Sequence, residues 1–317
     1  MRVLVICPDP AIDTYVWLDT FTPGGVNRAT REQRFPGGKG THVAMALREL
    51  GADVCLVGPW LGPTGAWIRE QCLTKGIEVA GPITDGFART CLTFRGPSGM
   101  EFTELRGCSD TPGEETVGRV LAASEQALGQ ANAVVISGRW PSDQGPESCG
   151  RLVASARLSG LPVCVDCDGN TLQSALRERP DLVHVNEQEG TVLTGLADPP
   201  SIARRLTTSA SLVAVSAGAD GVYVASGSRL THAISPVDHV ISTVGAGGCL
   251  TAGMVWGRLT GDGDLDTVAR WSVACAAANC VSPDLGMLHR ADVDHQLRAA
   301  TLCAIDRSGV PGPSPAT

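Results

Sequence analysis

Lysine is nearly absent from this chain: the 25 basic residues less Lys39 and Lys75 leave 23 arginines. A lysine that survives inside a glycine-rich turn is therefore conspicuous. No basic tract or arginine-rich arm occurs, the net charge is -8 and the pI is about 5.3, which argues against a nucleic acid as partner. No apolar run is long enough to cross a bilayer, so no membrane partner is expected. The opening MRVLVICPDP has one positive charge and a short apolar run before Pro8; it reads as a first buried strand, too short for a signal peptide. No G-x-G-x-x-G follows that strand, which removes dinucleotide chemistry, and no four-residue-spaced GK[ST] loop is present. Internal repeats are lacking as well. The absence with the most consequence lies between Val240 and Gly257, where there is no Asp or Glu at all.

What is present is an ample apolar inventory. Hydrophobic residues make up 43% of 317, enough for one large α/β domain or two smaller ones. Twelve cysteines are scattered through strand-like and helix-like segments, and Cys164-Val-Asp-Cys167 has no second pair, so buried thiols of a reduced, cytoplasmic protein are expected. The β-rich runs VLVIC, DVCLVG, AVVIS, VCVD, LVHVN, LVAVSAG and GVYVAS recur along the chain. Helix-period stretches at His42–Leu50, Gly65–Thr74, Glu115–Leu128, Glu147–Leu158 and Thr171–Glu178 lie between several of them. This alternation predicts a mainly parallel sheet covered on both faces, a three-layer α/β/α domain over 1–305. Two partly polar extended segments, about 14–35 and 87–107, break the rhythm and read as a small β-sheet lid. The Pro/Ser-rich end, 306–317, reads as a disordered tail.

A glycine-rich turn at a helix start is joined by four ligand-type turns that each follow a strand. FPGGKGTHVAMALRELG, 35–51, places Gly37, Gly38 and Gly40 beside Lys39 at a helix start, where backbone can approach a ligand closely. ICPDPAIDTYV puts Asp13 just after the first strand, and HVNEQE spaces Asn186 and Glu189 by about one helical turn at the mouth of another. SAGADGVYV joins two strands through Gly218 and Gly221. STVGAGGCLTAG then opens a helix behind Gly245, Gly247 and Gly248.

On these motifs the chain resembles the PfkB-type carbohydrate kinases of the ribokinase-like superfamily, up to about Arg298. The family patterns are GGKGxN early and DTxGAGDxFxAG late; the phosphosugar branch of 1-phosphofructokinase and tagatose-6-phosphate kinase, with STVGAGD and NPAxD, is the most similar. The resemblance implies ATP and Mg²⁺ as cosubstrate and cofactor, and a lid that can serve as a homodimer surface. It gives Asp13, Gly38 and Lys39 to the acceptor, and Asn186 and Glu189 to the metal and phosphates. Ser216, Gly218 and Gly221 go to the nucleotide, and Asn279 to the adenine. Gly245, Ala246 and Gly247 become an anion hole for the transferred phosphoryl.

The chain also departs from the pattern. Gly248 stands where the family has its catalytic Asp; a general base is commonly worth about 10²–10⁴ in rate. His42 stands where the family has the Asn of GGKGxN, and is the one titratable newcomer near the reaction; it reads either as a hydrogen-bonding structural residue or as a base. In ARTCLTF the branch's Arg is kept as Arg89, while Cys91 and Thr93 replace its Asn and Lys. SGRWP adds Arg139, and Arg106 lies at the return of the lid. Two readings stay open: a phosphotransferase acting on a sugar, phosphosugar or other anionic acceptor through an altered site, or a catalytically silent regulator that binds nucleotide or phosphosugar. An aspartate restored at position 248 is expected to raise transfer to a hydroxyl. An acceptor that is already an anion would need no base.

Overall fold

The run VLVIC becomes β1 (Arg2–Ile6), with Val3 to Ile6 buried, as a β-branched run without polar alternation must be when helices cover both faces. The computed structural model describes residues 1–96, 103–140, 144–261 and 263–303. The tail from residue 306 and the turn beyond Gly96 lie outside them.

From β1 the chain enters the lid. Strands β2 (Ala11–Trp17) and β3 (Arg31–Gly37) run antiparallel, and β3 leads directly into α1 (Lys39–Leu50). The lid thus begins at Ala11, and 18–30 form the loop between its first two strands. Next come β4 (Asp53–Val57), β5 (Trp60–Leu61), α2 (Gly62–Thr74), β6 (Glu78–Ala80) and β7 (Ile83–Thr84). A second excursion, β8 (Arg89–Arg95) and β9 (Glu104–Arg106), completes a four-stranded lid in the order β3-β2-β8-β9.

The chain then alternates through α3 (Glu114–Leu128), β10 (Ala133–Ser137), α4 (Gly145–Leu158), β11 (Val163–Asp166), α5 (Gly169–Arg177) and β12 (Leu182–Asn186). After α6 (Glu187–Thr194), α7 (Pro199–Leu206) and β13 (Leu212–Ser216), a 3-10 turn at Gly218–Asp220 leads into the hairpin β14 (Val222–Ser226) and β15 (Arg229–Ile234). Helices α8 (Ala246–Thr260), α9 (Leu265–Val281) and α10 (Arg290–Ala299) and the short β16 (Thr301–Cys303) complete it. Several helices begin two or three residues before the apolar pattern does, because their first turns carry Gly, Pro or Lys in place of periodic apolar residues.

The large sheet has ten strands in the order β16-β15-β14-β13-β12-β11-β10-β1-β4-β6. From β6 to β13 all pairs are parallel; β14, β15 and β16 are antiparallel additions at one edge. Period-two alternation divides the core. Val3 and Val5 pack with α1, α2, α8 and α9, while Leu4 and Ile6 pack with α3, α4, α5 and α7 on the other face. The strand order reverses between β1 and β10, so the loops after these two strands diverge and leave a crevice at their carboxyl ends. The lid stands over that end.

Candidate active site

Helix α8 starts behind Gly245, whose φ of 87° is left-handed; a Cβ there would run into the backbone of Gly286. The amide of Ala246 bonds Thr243 O (3.2 Å) and that of Cys249 closes the first turn on Gly245 O (2.9 Å). Between them the amides of Gly247 and Gly248 have no acceptor among the described residues, as expected of a first turn. They and the positive end of the helix dipole make a place for an anion, and no carboxylate in the turn opposes it. Neighbouring Cys249 is buried, and burial holds its thiol well above the ordinary cysteine range, so it is no base at neutral pH.

Beneath this turn lies a charged cluster. Lys39 Nζ is 3.3 Å from Asp166 Oδ1 and 3.1 Å from Glu189 Oε1. Burial works against the charge on Asp166, yet Lys39 and the adjoining His184 (Nδ1 3.6 Å from Oδ1) hold its carboxyl well below the usual range. Ser137 Oγ (2.9 Å) and Thr251 Oγ1 (3.3 Å) donate to its other oxygen. Burial likewise opposes the Lys39 charge, but Asp166 and Glu189 outweigh it and raise the pKa above that of an ordinary lysine. Glu189 is itself fixed by a capping box at α6: its Oε2 accepts from Asn186 N (3.0 Å), and its own N–H donates to Asn186 Oδ1 (2.8 Å). Lys39, Asn186 and Glu189 are therefore brought together. Lys39 pairs with Asp166 and Glu189 and, among the described residues, makes no ion pair with Asp13.

Asp13, on β2, is buried and bonded to His42 Nε2 at 2.7 Å. Three glycines surround the pair. A Cβ at Gly37 would collide with the Asp13 carboxylate, and one at Gly286 with the His42 ring. At Gly248 it would stand 2.8 Å from His42 Cβ and 3.1 Å from Lys39 O. Gly38, the N-cap of α1 with φ 91°, brings the backbone onto the loop after β1, where a Cβ would be 2.7 Å from Asp9 O.

The arginines fall in two places. Arg89 Nε lies 2.9 Å from Asp9 Oδ2, an ion pair by distance although its N–H is not aligned for a hydrogen bond. Ser109 Oγ donates to Asp9 Oδ1 (2.6 Å). Burial pushes the Asp9 carboxyl up; Arg89, the Ser109 bond and Arg139, exposed after β10, pull it partway back. One carboxylate thus faces two guanidinium groups in the crevice. Arg106 stands apart on β9, exposed and paired with Glu104 (3.0 Å). It belongs to the lid row Phe35, Asp13, Cys91, Arg106, whose in-register side chains share a face.

Ser216, at the end of β13, bonds His184 Nε2 (3.1 Å). Gly218 (φ 59°) and Gly221 (φ 84°) form the turn that follows, and a Cβ at Gly221 would collide with Ala233 O. Asn279 is buried in α9 with Nδ2 donating to Met287 O (2.9 Å); it clips the loop carrying Gly286, and its Oδ1 has no partner among the described residues.

Sequence reasoning missed the polar chain that runs Ser216, His184, Thr251, Asp166 and Ser137. The available signal was a polar residue in or at the end of an otherwise apolar strand, as in VCVD and LVHVN. Asp9, Ser109 and Gly286 were also missed. The residues present suit a magnesium nucleotide: unpaired amides for phosphate oxygens, and a partly accessible Glu189 for a cation that takes its remaining ligands from phosphate and water. No group of three or more His, Cys, Asp or Glu placed to hold a metal occurs among the described residues.

Comparison with known proteins agrees with this geometry. The profile of the pfkB family carbohydrate kinases matches residues 6–287. A 1-phosphofructokinase of Rhodobacter capsulatus is 32% identical over 281 residues, covering 86% of this chain and 89% of the relative. One of Bacillus subtilis is 26% identical over 290 residues, covering 90% and 94%. Among solved structures, Escherichia coli phosphofructokinase-2 in complex with substrates and products superposes with a TM-score of 0.84 at 23% identity, over 94% of this chain and 99% of that one. The three-layer architecture with its separate small sheet is ribokinase-like.

Proposed function

Because this chain belongs to the pfkB family of carbohydrate kinases, we propose that it is an ATP-dependent phosphotransferase whose acceptor is a small sugar phosphate or similar anionic compound. The observation that carries this reading is the convergence of the unpaired α8 amides with the Lys39–Asp166–Glu189 cluster at the carboxyl ends of β10 to β13.

In this reading the amides of Gly247 and Gly248, presented through Gly245 and Ala246, receive the transferred phosphoryl, where negative charge spreads as the transition state forms. Asn186 and Glu189 hold the metal-phosphate side, and Mg²⁺ when bound supplies charge neutralisation there. Ser216, Gly218 and Gly221 border the nucleotide, with Asn279 shaping the adenine side through the loop it clips. The acceptor enters between Asp13, Gly38 and the Asp9–Arg89–Arg139 group, whose excess of guanidinium charge suits a phosphate or carboxylate. Arg106 closes from the lid. A cytoplasmic location accompanies this reading: all twelve cysteines are free thiols, most of them buried. Among the described residues no helix is long and apolar enough to cross a membrane.

Two measurements test the proposal. Calorimetric titration with ATP, with and without Mg²⁺, is expected to show binding within the usual micromolar-to-millimolar range. A transfer assay across sugars and sugar phosphates, beginning with fructose 1-phosphate, is expected to show turnover with a phosphorylated acceptor. A folded protein with no nucleotide affinity at millimolar Mg-ATP refutes the phosphotransferase reading.

A further inference from the structure

The packing around Gly248 shows that it is not a gap left by a missing side chain. The first turn of α1 fills that place, with His42 Cβ and Lys39 O both inside ordinary contact of any Cβ built there. This close approach sets the His42 ring between Gly286 and Asp13, and Gly286 in turn lies against Gly245, the residue that opens α8. Substituting any one of Gly37, Gly248 or Gly286 would force atoms of Asp13, or of His42 and its helix, to shift.

We infer that Asp13 and His42 form the proton-accepting pair of this site, with His42 as the catalytic base and Asp13 as the residue that positions it. The inference rests on the phosphotransferase reading above. Asp13 accepts the Nε2 hydrogen at 2.7 Å, which leaves Nδ1 as the ring's basic nitrogen. The Cδ2–Nε2 edge is the one against Gly286 and Asp13, while Nδ1 on the opposite edge bonds no described residue. In the reaction, the acceptor oxygen bonds the γ-phosphorus as the bond to the bridging oxygen breaks, its electron pair leaving with the nucleoside diphosphate. The acceptor proton passes to Nδ1, Nε2–H stays on Asp13, and the imidazolium later returns its proton to water. No carboxylate is required in the first turn of α8, where it would oppose the anion.

The charged and titratable groups around the pair are few. Lys39 lies one turn earlier on the same helix, Arg89, Cys91 and Arg106 lie on the Asp13 face of the lid, and Cys249 follows Gly248 in α8.

The test follows transfer from Mg-ATP to fructose 1-phosphate, to the wider acceptor panel and to water, across the pH range in which an imidazole titrates. For wild type, kcat/KM should rise with unit slope as one group loses its proton, then level. His42→Asn should lower kcat by about 10²–10⁴-fold and remove that step; His42→Gln, closer in size, should do the same if the Asn variant folds poorly. Asp13→Asn should lower kcat while keeping the step, since an amide fixes the Nε2–H less firmly than a carboxylate does. A residue that merely packs would leave the pH profile in place. An active wild type whose rate and profile survive both His42 substitutions overturns the pair and spares the functional reading. A wild type that binds Mg-ATP yet transfers to nothing overturns the functional reading, and the base role with it.

Discussion

Asp166 is wholly buried and still ionised, because Lys39, Ser137 and Thr251 all present hydrogens to it. Its folded pKa is depressed, so it contributes stability above the ordinary carboxylate value near 3.9. That contribution is complete at neutral pH and is lost as pH falls from there through the lower native value. Asp166→Asn should therefore cost stability at pH 7, toward the lower end of roughly 3–5 kcal/mol because Lys39 keeps some solvent access. It should also flatten the acid limb of the stability curve. Denaturant melts of both proteins at neutral and acid pH check this; equal loss at both would contradict it. Gly248 is the second decisive residue. From sequence alone, an aspartate there promises a restored base. With α1 packed onto it, Gly248→Asp should instead overpack the contact by about 1–3 kcal/mol and part Asp13 from His42. The expected outcome is lower transfer, read by thermal melting and by the transfer assay together.

At the scale of elements, the site is assembled from helix starts. Helix α8 offers amides, α1 offers Lys39 and His42, and α6 offers a capping box whose glutamate also holds Lys39. The Asn186 side chain thus stabilises a helix and aims a functional carboxylate at once. Asn186→Ala should cost about 1 kcal/mol through the lost cap. It should also weaken Mg-ATP binding beyond what that loss explains, because Glu189 is freed to swing. Calorimetry on the folded variant separates the two: unchanged nucleotide affinity would make the box purely structural. Thr251, one turn into α8, bonds His184 Nδ1 (2.9 Å) and Asp166 (3.3 Å), so the helix start is tied to β11 and β12 through side chains.

At the scale of the molecule, the lid is a thin sheet with an apolar outer strip. Leu92 pairs in register with exposed Leu105, Phe94 follows two residues later on the same face, and Phe21 packs on Phe94 with ring centroids 6.1 Å apart. We propose that a second copy of this chain covers that strip, giving a homodimer through the lid. Leu105→Asp should then yield a folded monomer in sedimentation, against a dimer for the parent. A parent that sediments as a monomer at assay concentration would rule the arrangement out.

Local chemistry made much of this legible in sequence. Buried strands such as AVVIS and LVAVS need no partner to be recognised, since apolar β-branched runs between helical periods imply a covered parallel sheet. The glycine-rich turns were legible for a similar reason: Gly38, Gly221 and Gly245 do take the positive φ that only glycine adopts readily. Helices α9 and α10 were not foreseen, although α9 is one of the most buried elements, and its nearly continuous apolar run shows no face from which to read a period. The bonds that join the site were out of reach. Asp13 meets His42 across 29 residues, and Lys39 meets Asp166 and Glu189 across 127 and 150. Sequence determined which groups could ionise and which turns could approach a ligand. Only the packing of α1 on α8 decided that Gly248 has no room for a side chain and that His42 is held against Asp13, because contact between distant segments depends on every element between them.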